Sequence, residues 1–390
     1  MKKIFASLLA LAISSSMLIA QTPVATIPME VYGDHTFIKV QINGSEDLDY
    51  ILDTGDGLAI LNINDAAKLG ISSGEDETIT SAEGSISGKR VKHNEFTVGG
   101  APIHNVELHE TDLSHLEISI GRNIDGIIGY DLLKNYVVSI DYDQMKIELY
   151  EPKSYSYKGT GSSYAIKLSA SKNPHIKGKT VFANGETIEG DFFVDTGAKA
   201  TVDYNTPYVE KNGLAKKIGD SYIYLVAGLG KTEYEHHKGK VQSFSFGSVT
   251  IDNMPVGLSH AKHGIQNHKK ISGIIGGALL KKFNIVMDYS RKKMYLEKNA
   301  SFDKPFMMNA SGLELQLSKD KSKVLVHKVF DNSPAQSAGI AVDAVIESIN
   351  GKNAVELGLA KSRKILAQSG ESVELMIDGK SVKLDLKYLL

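Results

Sequence analysis

Alternation of apolar and polar residues is the main pattern of the section that precedes residue 300. In Thr36–Ile42 every second residue is apolar, and the turn signal Asn43-Gly44 follows directly. Such alternation is typical of a β-strand with one buried face, and an Asn-Gly pair favours a tight hairpin turn. The pattern therefore predicts that this section is built mainly of β-strands.

The β-rich section also repeats itself. An apolar segment leads into Asp-Thr-Gly at Ile51–Gly55 and again at Phe193–Gly197. An apolar-apolar-Gly element occurs later in each half, within Ile124–Leu133 and Ile271–Leu280, and two strand-like segments come after each. The offset between the halves is nearly constant, which indicates a duplicated unit much longer than a solenoid repeat. We expect two lobes that pack as a pseudo-twofold pair.

The residues from Pro305 onward follow a different pattern. Ser333–Gly339 predicts a short helix, with a serine cap, a proline in the first turn and a glycine able to end it. A longer helix is expected from Val355 to Gln368. Strand-like segments lie on both sides of these helices, at Leu313–Leu317, Val324–Val329, Val345–Ile349, Val373–Ile377 and Val382–Leu386. The pattern predicts a small α+β domain.

Charge and cysteine content narrow the possible functions. The chain has 44 basic and 46 acidic residues and a net charge of -2. This balance gives no sign of a surface for polyanions, so nucleic acid is not an expected partner. The chain has no cysteine, which excludes disulfides, thiolate metal sites and a cysteine nucleophile. Its stability must therefore come from packed cores.

The first twenty residues are typical of a secretory signal peptide. Two lysines follow Met1, an apolar stretch runs from Ile4 to Ala12, and the small residue Ala20 marks a cleavage site. The alternative is an uncleaved anchor, which the shortness of the apolar stretch disfavours. No other segment is apolar enough to span a bilayer. We therefore expect an exported protein, periplasmic or extracellular, without a stable membrane span after cleavage.

The paired Asp-Thr-Gly triplets suggest acid–base chemistry. When two carboxyl groups share a site, both cannot ionise easily, so one retains a proton. The ionised group can take a proton from a water while its protonated partner polarises a carbonyl, which would hydrolyse a peptide bond. A single Asp-Thr-Gly is often only a β-turn. Two triplets in register within a duplicated sequence predict a catalytic site.

These features resemble the aspartic proteases, in particular the retropepsin-like branch with both lobes in one chain. The triplets match the active-site motif of that family, and Ile127–Gly129 and Ile274–Gly276 match the element that threads behind each catalytic loop. The resemblance implies a mainly β, bilobal pepsin/retropepsin-like acid protease fold, protein or peptide substrates, and no cofactor or metal. It implies a catalytic pair, Asp53 and Asp195, supported by Thr54, Gly55, Thr196 and Gly197.

The same family closes a hairpin flap over its substrate. Ser81–Ser85 and Val226–Gly230 have the glycine content that mobile flap tips need. Ordinary surface hairpins are the alternative interpretation of both segments.

Three features, at four positions, depart from the family pattern. Asp56 follows the first triplet where a small residue is usual, and this third carboxylate either raises the proton affinity of the pair or faces solvent. Ala198 has no hydroxyl to stabilise an ionised Asp195, so activity is expected to extend nearer to neutral pH. Tyr130 and Gly277 stand where retropepsins often have arginine, which affects the expected contact between the lobes.

The C-terminal part resembles a PDZ domain from Met307 onward. Ser333–Ala335 and Ala338–Ile340 match the Ser-Pro-Ala and Ala-Gly-Leu segments of that family. The resemblance implies a peptide-binding loop whose backbone amides hold the terminal carboxylate of a peptide that extends the sheet. This loop comprises Ser311, Gly312, Leu313, Glu314 and Leu315; the Glu314 side chain and Val342-Asp343 are departures from the family pattern.

Five histidines are candidate metal ligands by residue type: His236, His237, His260, His263 and His268. Their spacing fits no zinc pattern, and we interpret them as solvated loop residues.

The expected organisation is a signal peptide (1–20), two protease lobes (22–155 and 162–298) and a small α+β PDZ domain (305–390). The leading hypothesis is an exported aspartic endopeptidase whose PDZ domain recognises substrates or partners. The alternative is a catalytically silent scaffold that binds peptides through the PDZ domain, and Asp56 is the feature that favours it.

Overall fold

The computed structural model describes residues 21–71, 74–81 and 84–390. The predicted signal peptide lies outside these residues. Within them, no helix has the length and apolar character required to cross a membrane. The structure is mainly β, as the sequence predicts.

The first half of the duplicated section folds as one lobe. In chain order its elements are β1 (Ala25–Pro28), β2 (Glu30–Tyr32), β3 (His35–Ile42), β4 (Leu48–Leu52), β5 (Ala59–Asn62), α1 (Ile63–Lys68), β6 (Glu75–Thr80), β7 (Ser85–Val98), β8 (Ala101–Thr111), α2 (Ser114–Ile120), β9 (Gly126–Ile128), α3 (Tyr130–Asn135), β10 (Val137–Asp141) and β11 (Lys146–Tyr150). Eight of these strands form a sheet in the order β2-β3-β4-β9-β5-β8-β7-β6.

The second half repeats this arrangement. Its elements are β12 (Ser162–Ala165), β13 (Lys167–Leu168), β14 (Pro174–Val181), β15 (Thr187–Asp195), β16 (Val202–Tyr204), α4 (Thr206–Asn212), α5 (Leu214–Lys217), β17 (Tyr222–Val226), β18 (Tyr234–Phe246), β19 (Val249–Ser259), a 3-10 turn (Ile265–Asn267), β20 (Gly273–Gly276), α6 (Gly277–Leu280), β21 (Phe283–Asp288) and β22 (Lys293–Lys298). The sheet order β13-β14-β15-β20-β16-β19-β18-β17 corresponds strand for strand to that of the first lobe.

A six-stranded sheet joins the two lobes, in the order β1-β11-β10-β21-β22-β12. Its central contact is the antiparallel pairing of β10 with β21, in which Ser139 lies opposite Val286. Apolar side chains from both lobes form one continuous core beneath this sheet. The shared sheet therefore fixes the two halves relative to each other, as a pseudo-twofold pair requires.

Strand β3 shows how the alternating pattern is used. Its apolar side chains face two different clusters: Ile38 and Val40 belong to the large core, whereas Phe37 packs with Ile51 and Ile127 near the centre of the lobe. The strand is therefore buried on both faces, and Lys39 is its exposed residue. The sequence pattern predicts the strand, but packing on the second face comes from elements distant in the chain.

The C-terminal domain has its own core. Its elements are β23 (Leu313–Leu317), β24 (Val324–Val329), α7 (Pro334–Ser337), β25 (Val345–Ile349), β26 (Lys352–Asn353), α8 (Ala354–Leu357), α9 (Leu359–Leu366), β27 (Ser372–Ile377) and β28 (Lys380–Asp385). The strands follow the path β23-β24-β25-β27-β28, which makes β23 an edge strand.

Two helices of this domain test the sequence predictions. Ser333 caps α7 as expected, since its hydroxyl accepts a hydrogen bond from the Gln336 amide. The single helix predicted from Val355 to Gln368 is wrong, because α8 and α9 are separated at Gly358. That residue has a φ of 77°, which a continuous right-handed helix cannot contain.

Candidate active site

Each Asp-Thr-Gly triplet lies at the end of a strand that pairs with the later glycine element. β4 runs parallel to β9, and the Asp53 amide donates to the Ile128 carbonyl over 2.9 Å. In the second lobe β15 runs parallel to β20, with Asp195 opposite Gly276. Parallel pairing of strands that are distant in sequence carries both aspartates to equivalent turns. The element that threads behind each loop is present in both lobes.

The two Asp-Thr-Gly loops are hydrogen-bonded to each other through their threonines. The Thr54 hydroxyl donates to the Val194 carbonyl over 2.7 Å and accepts from the Thr196 amide over 3.1 Å. The Thr196 hydroxyl donates to the Leu52 carbonyl over 2.9 Å and accepts from the Thr54 amide over 3.0 Å. Both threonines are buried, so these four bonds are shielded from water. They hold the two turns at one fixed separation.

This arrangement brings the two aspartate carboxyl groups together. They face each other across the lobe interface, close enough for the negative charge of Asp195 to raise the pKa of Asp53. Each triplet glycine leaves room for the opposite carboxyl group: a Cβ at Gly55 would lie 2.5 Å from Asp195 Cγ, and a Cβ at Gly197 would meet the Asp53 carboxyl. Glycine is therefore required here by close approach rather than by its backbone angles.

The backbone around the pair is not symmetric. Asp195 Oδ1 accepts hydrogen bonds from the amides of Gly197 and Ala198, over 2.8 and 2.9 Å, whereas Asp53 Oδ1 accepts one from Gly55 over 2.7 Å. Donors of this kind stabilise a carboxylate. Ala198 has no hydroxyl, but its amide supplies a donor to Asp195.

Burial raises the pKa of both carboxyl groups above their ordinary value. For Asp53 the negative charges of Asp195 and Asp56 raise the pKa further. For Asp195 the hydrogen bonds from Asp53 and from the Ala198 and Gly197 amides oppose the effect of burial. The additional amide donor favours the ionised form of Asp195, so when the pair holds one proton, Asp53 is the group favoured to carry it.

Asp56 does not face solvent, which was one of the two alternatives for this residue. Its Oδ1 accepts a hydrogen bond from the Leu58 amide over 3.1 Å, and its Oδ2 is buried without a hydrogen-bond partner. Burial raises the pKa of Asp56 to about 7, and the charges of Asp195 and Asp131 raise it as well. A third titratable group therefore lies beside the catalytic pair.

Contacts between the lobes also involve residues that the sequence analysis did not select. Asn173, in the turn before β14, donates its side-chain amide to the Gly55 carbonyl of the opposite lobe. Lys281 binds Asp34 over 2.8 Å, which joins α6 to the turn before β3. These residues lie in ordinary turns and helix ends, so no local sequence signal distinguishes them.

The residues at the arginine positions of retropepsins have different environments. The Tyr130 amide donates to the Asp56 carbonyl over 3.0 Å, and its ring lies 6.2 Å from that of Tyr289. The Gly277 amide donates to the Ala198 carbonyl over 2.7 Å. Backbone hydrogen bonds therefore brace both catalytic loops at these positions.

The two proposed flap segments lie between the strands of corresponding hairpins, β6–β7 and β17–β18, and residues 82 and 83 of the first segment are outside the described residues. The Ser81 carbonyl accepts a hydrogen bond from the Ile265 amide over 3.1 Å, so the first hairpin touches the second lobe. In the other direction, Lys231 binds Asp112 over 2.7 Å, and His115 contacts the Gly228 carbonyl over 3.2 Å. Each hairpin tip therefore contacts the opposite lobe.

The predicted peptide-binding loop of the C-terminal domain closes on itself. The amides of Ser311 and Gly312 donate to Asn309 Oδ1 over 3.1 and 2.7 Å, and the Leu313 amide donates to the Ser311 hydroxyl over 3.1 Å. Leu313 and Leu315 point into the domain core, and Glu314 is half-buried. A peptide carboxylate that binds these amides would therefore displace two neutral acceptors, Asn309 Oδ1 and the Ser311 hydroxyl.

The loop interpretation is wrong for two of the five histidines, because His236 and His237 both lie in strand β18, where His237 is half-buried opposite Leu258. His236 is not a solvated loop residue: it lies in β18 and is fully buried, with Nδ1 3.5 Å from Asp203 Oδ2 and its ring edge-on to Tyr224. Alternate side chains of β18 point into the core, and His236 is one of them. The charged residues next to it in sequence gave no indication of this burial. In the described part of the chain, no three His, Cys, Asp or Glu side chains are grouped so that they could hold a metal ion.

Comparison with protein families agrees with this architecture. A family model described as aspartyl protease matches residues 38–132, which include the first triplet and the first glycine element. A PDZ domain model matches residues 303–378. No curated protein matches the chain. The chain therefore contains an aspartyl protease domain, followed by a C-terminal PDZ domain.

Proposed function

We propose that this protein is an exported aspartic endopeptidase, with protease lobes over 22–155 and 162–298 and a PDZ domain over 305–390 that binds peptides. The observation that carries the proposal is the close approach of two half-buried carboxyl groups on matching loops, each of which lies against the triplet glycine of the opposite loop. Such a pair is suited to acid–base catalysis because, when its members hold one proton between them, one can act as the base and the other as the acid.

The asymmetry of the pair assigns a role to each carboxyl group. Asp195, as the carboxylate, takes a proton from a water whose oxygen attacks the carbonyl carbon of the peptide. Asp53 gives its proton to the carbonyl oxygen, which produces a tetrahedral diol. Asp195 then passes its proton to the amide nitrogen as the carbon–nitrogen bond breaks, and Asp53 recovers a proton from the diol. The protein ends the cycle in its starting protonation state.

The matching substitutions Asp53→Asn and Asp195→Asn test this mechanism. Each keeps the size of the side chain but removes the carboxyl group, so we expect cleavage of a responsive peptide to fall at least about a hundredfold. Asp252→Asn is the control, since Asp252 is exposed on β19, in the second lobe. Peptide-library digestion with mapping of the cleavage sites supplies the substrate. If either catalytic-loop variant cleaves as fast as the parent, the mechanism is wrong.

Export belongs to the same proposal and rests on the sequence of residues 1–20. We expect the mature protein to begin at Gln21 when the full chain is expressed in a bacterium that processes signal peptides. N-terminal sequencing of the fractionated protein checks this. A mature chain that retains Met1 and stays in the cytoplasm would contradict it.

A second candidate is a peptide-binding scaffold without catalysis. The observation in its favour is the buried carboxyl group of Asp56, which raises the pKa of Asp53 and could hold the pair in an inactive, doubly protonated form. A statine-type inhibitor, which mimics the tetrahedral intermediate, separates the candidates. Cleavage that the inhibitor blocks supports the enzyme; peptide binding without cleavage from acid to neutral pH supports the scaffold.

A further inference from the structure

The peptide-binding side of the PDZ domain lies at the edge strand β23 and helix α9. A PDZ ligand joins the sheet at an exposed edge and adds its backbone as a further strand. At the loop end of this edge a small cavity of about 40 Å³ remains open. It is lined by Asn309, Ser311, Leu313, Arg363, Leu366 and Ala367. The cavity has room for a small apolar side chain next to the predicted carboxylate-binding loop.

The remainder of the edge is covered by helix α2 of the first protease lobe. Ile118 of α2 packs against the core of the PDZ domain. Arg363 of α9 donates from one nitrogen to two carbonyl oxygens, that of Leu315 in β23 over 2.7 Å and that of Ser119 in α2 over 2.5 Å. A single side chain therefore joins both walls of the groove to the protease lobe. The place of an added peptide strand is taken by a segment of the same chain.

An ion pair supports the contact between α2 and the PDZ domain. Glu117 of α2 is 5% exposed, and its carboxylate binds Lys321 of the PDZ domain over 2.8 Å. A buried carboxylate that loses its partner is strongly destabilised, so the lysine favours the docked position. At the end of α2, Gly121 leaves room for Leu359: a Cβ there would lie 2.8 Å from the Cβ of that leucine.

The PDZ domain also holds the flap hairpin of the second lobe. The ring of Phe330 stacks on Tyr222 of β17 with 5.2 Å between centroids. His327 binds Glu233 over 2.8 Å, next to the start of β18. The half-buried side chain of Glu314 lies beside the Leu225 amide of the same hairpin. One domain thus contacts α2 of the first lobe and the hairpin tip of the second.

The opposite face of α2 packs toward the strands that lead into and support the Asp53 loop. Leu113 and Ile120 belong to the same apolar cluster as Ile51 and Ile127, which lie in the strands that position Asp53. His115 of α2 contacts the Gly228 carbonyl in the tip of the β17–β18 hairpin. A shift of α2 would therefore change both the wall beside the catalytic loop and the position of this flap.

We propose that helix α2 occupies the peptide groove of the PDZ domain as an internal ligand, and that a peptide with a free C-terminal carboxylate and a small apolar last residue displaces it. Displacement frees α2 and the β17–β18 hairpin and opens the cleft to substrate. The competition for the groove is independent of catalysis; its effect on cleavage rests on the proposed function.

Binding measurements on the full chain test the competition directly. The probes are fluorescein-labelled decapeptides ending in Ala, Val or Leu, each as the free carboxylate and as the C-terminal amide, followed by anisotropy. All proteins carry Asp195→Asn so that the probes are not digested. The variants Ile118→Ser, in α2, and Lys321→Ala, in the PDZ domain, each weaken the docking of α2 on the PDZ domain. Val342→Ser and Lys319→Ala are matched controls at exposed positions of the PDZ domain.

We expect both docking variants to bind at least one carboxylate probe about fivefold more tightly than the parent, because less of the affinity is lost in displacing α2. The controls should bind as the parent does, and the amidated probes should bind more weakly than their carboxylate forms. Equal affinity for parent and docking variants, equal affinity for carboxylate and amide, or no binding to any protein would each overturn the proposal.

A second measurement uses the same probes without the Asp195→Asn background. The probe that binds should increase the rate at which the parent cleaves its mapped substrate, and Ile118→Ser should cleave rapidly without it. A bound carboxylate probe that leaves the cleavage rate unchanged would refute the opening step. If no substrate is cleaved under any condition, the protease proposal fails, while the binding experiment still decides whether α2 competes for the groove.

Discussion

The substitution Thr54→Val removes the hydroxyl that joins the two catalytic loops while keeping the shape of the side chain. The Val194 carbonyl and the Thr196 amide lose their partner, at distances of 2.7 and 3.1 Å in the parent. A buried polar group left without a partner costs about 1–3 kcal/mol, so the two groups together cost about 2–6 kcal/mol. This is a large part of the stability of a typical domain, which is about 5–15 kcal/mol.

The activity should fall as well, because the same hydroxyl sets the separation of the two aspartates. We expect kcat/KM for a mapped peptide substrate to fall about tenfold or more under conditions where the variant remains folded. Urea unfolding followed by circular dichroism gives the loss of stability. Peptide cleavage well below the unfolding midpoint gives the loss of activity.

Thr180→Val is the control for this experiment. Thr180 and Thr54 are both 1% exposed, and the Thr180 hydroxyl bonds to Tyr204 within the second lobe, away from the catalytic loops. The control should lose about 1–3 kcal/mol of stability with kcat/KM unchanged. If Thr54→Val retains the parent kcat/KM, or both variants lose activity equally, the hydrogen bonds between the loops do not position the carboxyl groups.

The remaining predictions concern neighbouring groups. Asp56→Asn removes a negative charge that raises the pKa of Asp53, so the alkaline limb of the pH–rate profile should move to lower pH; an unchanged profile between pH 5 and 9 would contradict this. Gly197→Ala places a methyl group against the Asp53 carboxyl, so it should abolish cleavage while circular dichroism shows a native fold; activity near that of the parent would count against the close approach of the loops. The hydrogen bond to Glu233 raises the pKa of His327 above 6.5, so this contact is fully formed below that value and is lost as the pH rises through the raised pKa. Amide exchange in β18, corrected for its intrinsic pH dependence, should increase with pH in the parent but not in His327→Gln; equal pH dependence in both would refute this role.

The sequence is sufficient to predict the β-rich lobes, their duplication and the C-terminal α+β domain. These features depend on local patterns, since alternation, turn pairs and helix caps act over a few neighbouring residues. The family resemblances are confirmed because their motifs lie at contiguous positions that a family model can match, as in residues 38–132 and 303–378.

Local sequence patterns fail to predict helix continuity and side-chain burial where tertiary packing or a single backbone angle determines them. Gly358 divides the predicted helix because of its positive φ, although the flanking residues favour a helix. His236 is buried because β18 places it in the core beside Asp203. Asp56 is turned away from solvent by the fold of the catalytic loop, which no neighbouring residue in sequence indicates.

The sequence by itself determined which residues could form a catalytic pair and which loop could bind a peptide terminus. Only the tertiary structure decided that the carboxyl groups of Asp53 and Asp195 approach each other, that Asp195 accepts more hydrogen bonds from backbone amides, and that helix α2 covers the groove of the PDZ domain. The physical reason is that these properties depend on distances between groups far apart in the chain. Those distances are set by the shared sheet, the joined threonine loops and the docking of separate cores, not by the order of residues in any one segment.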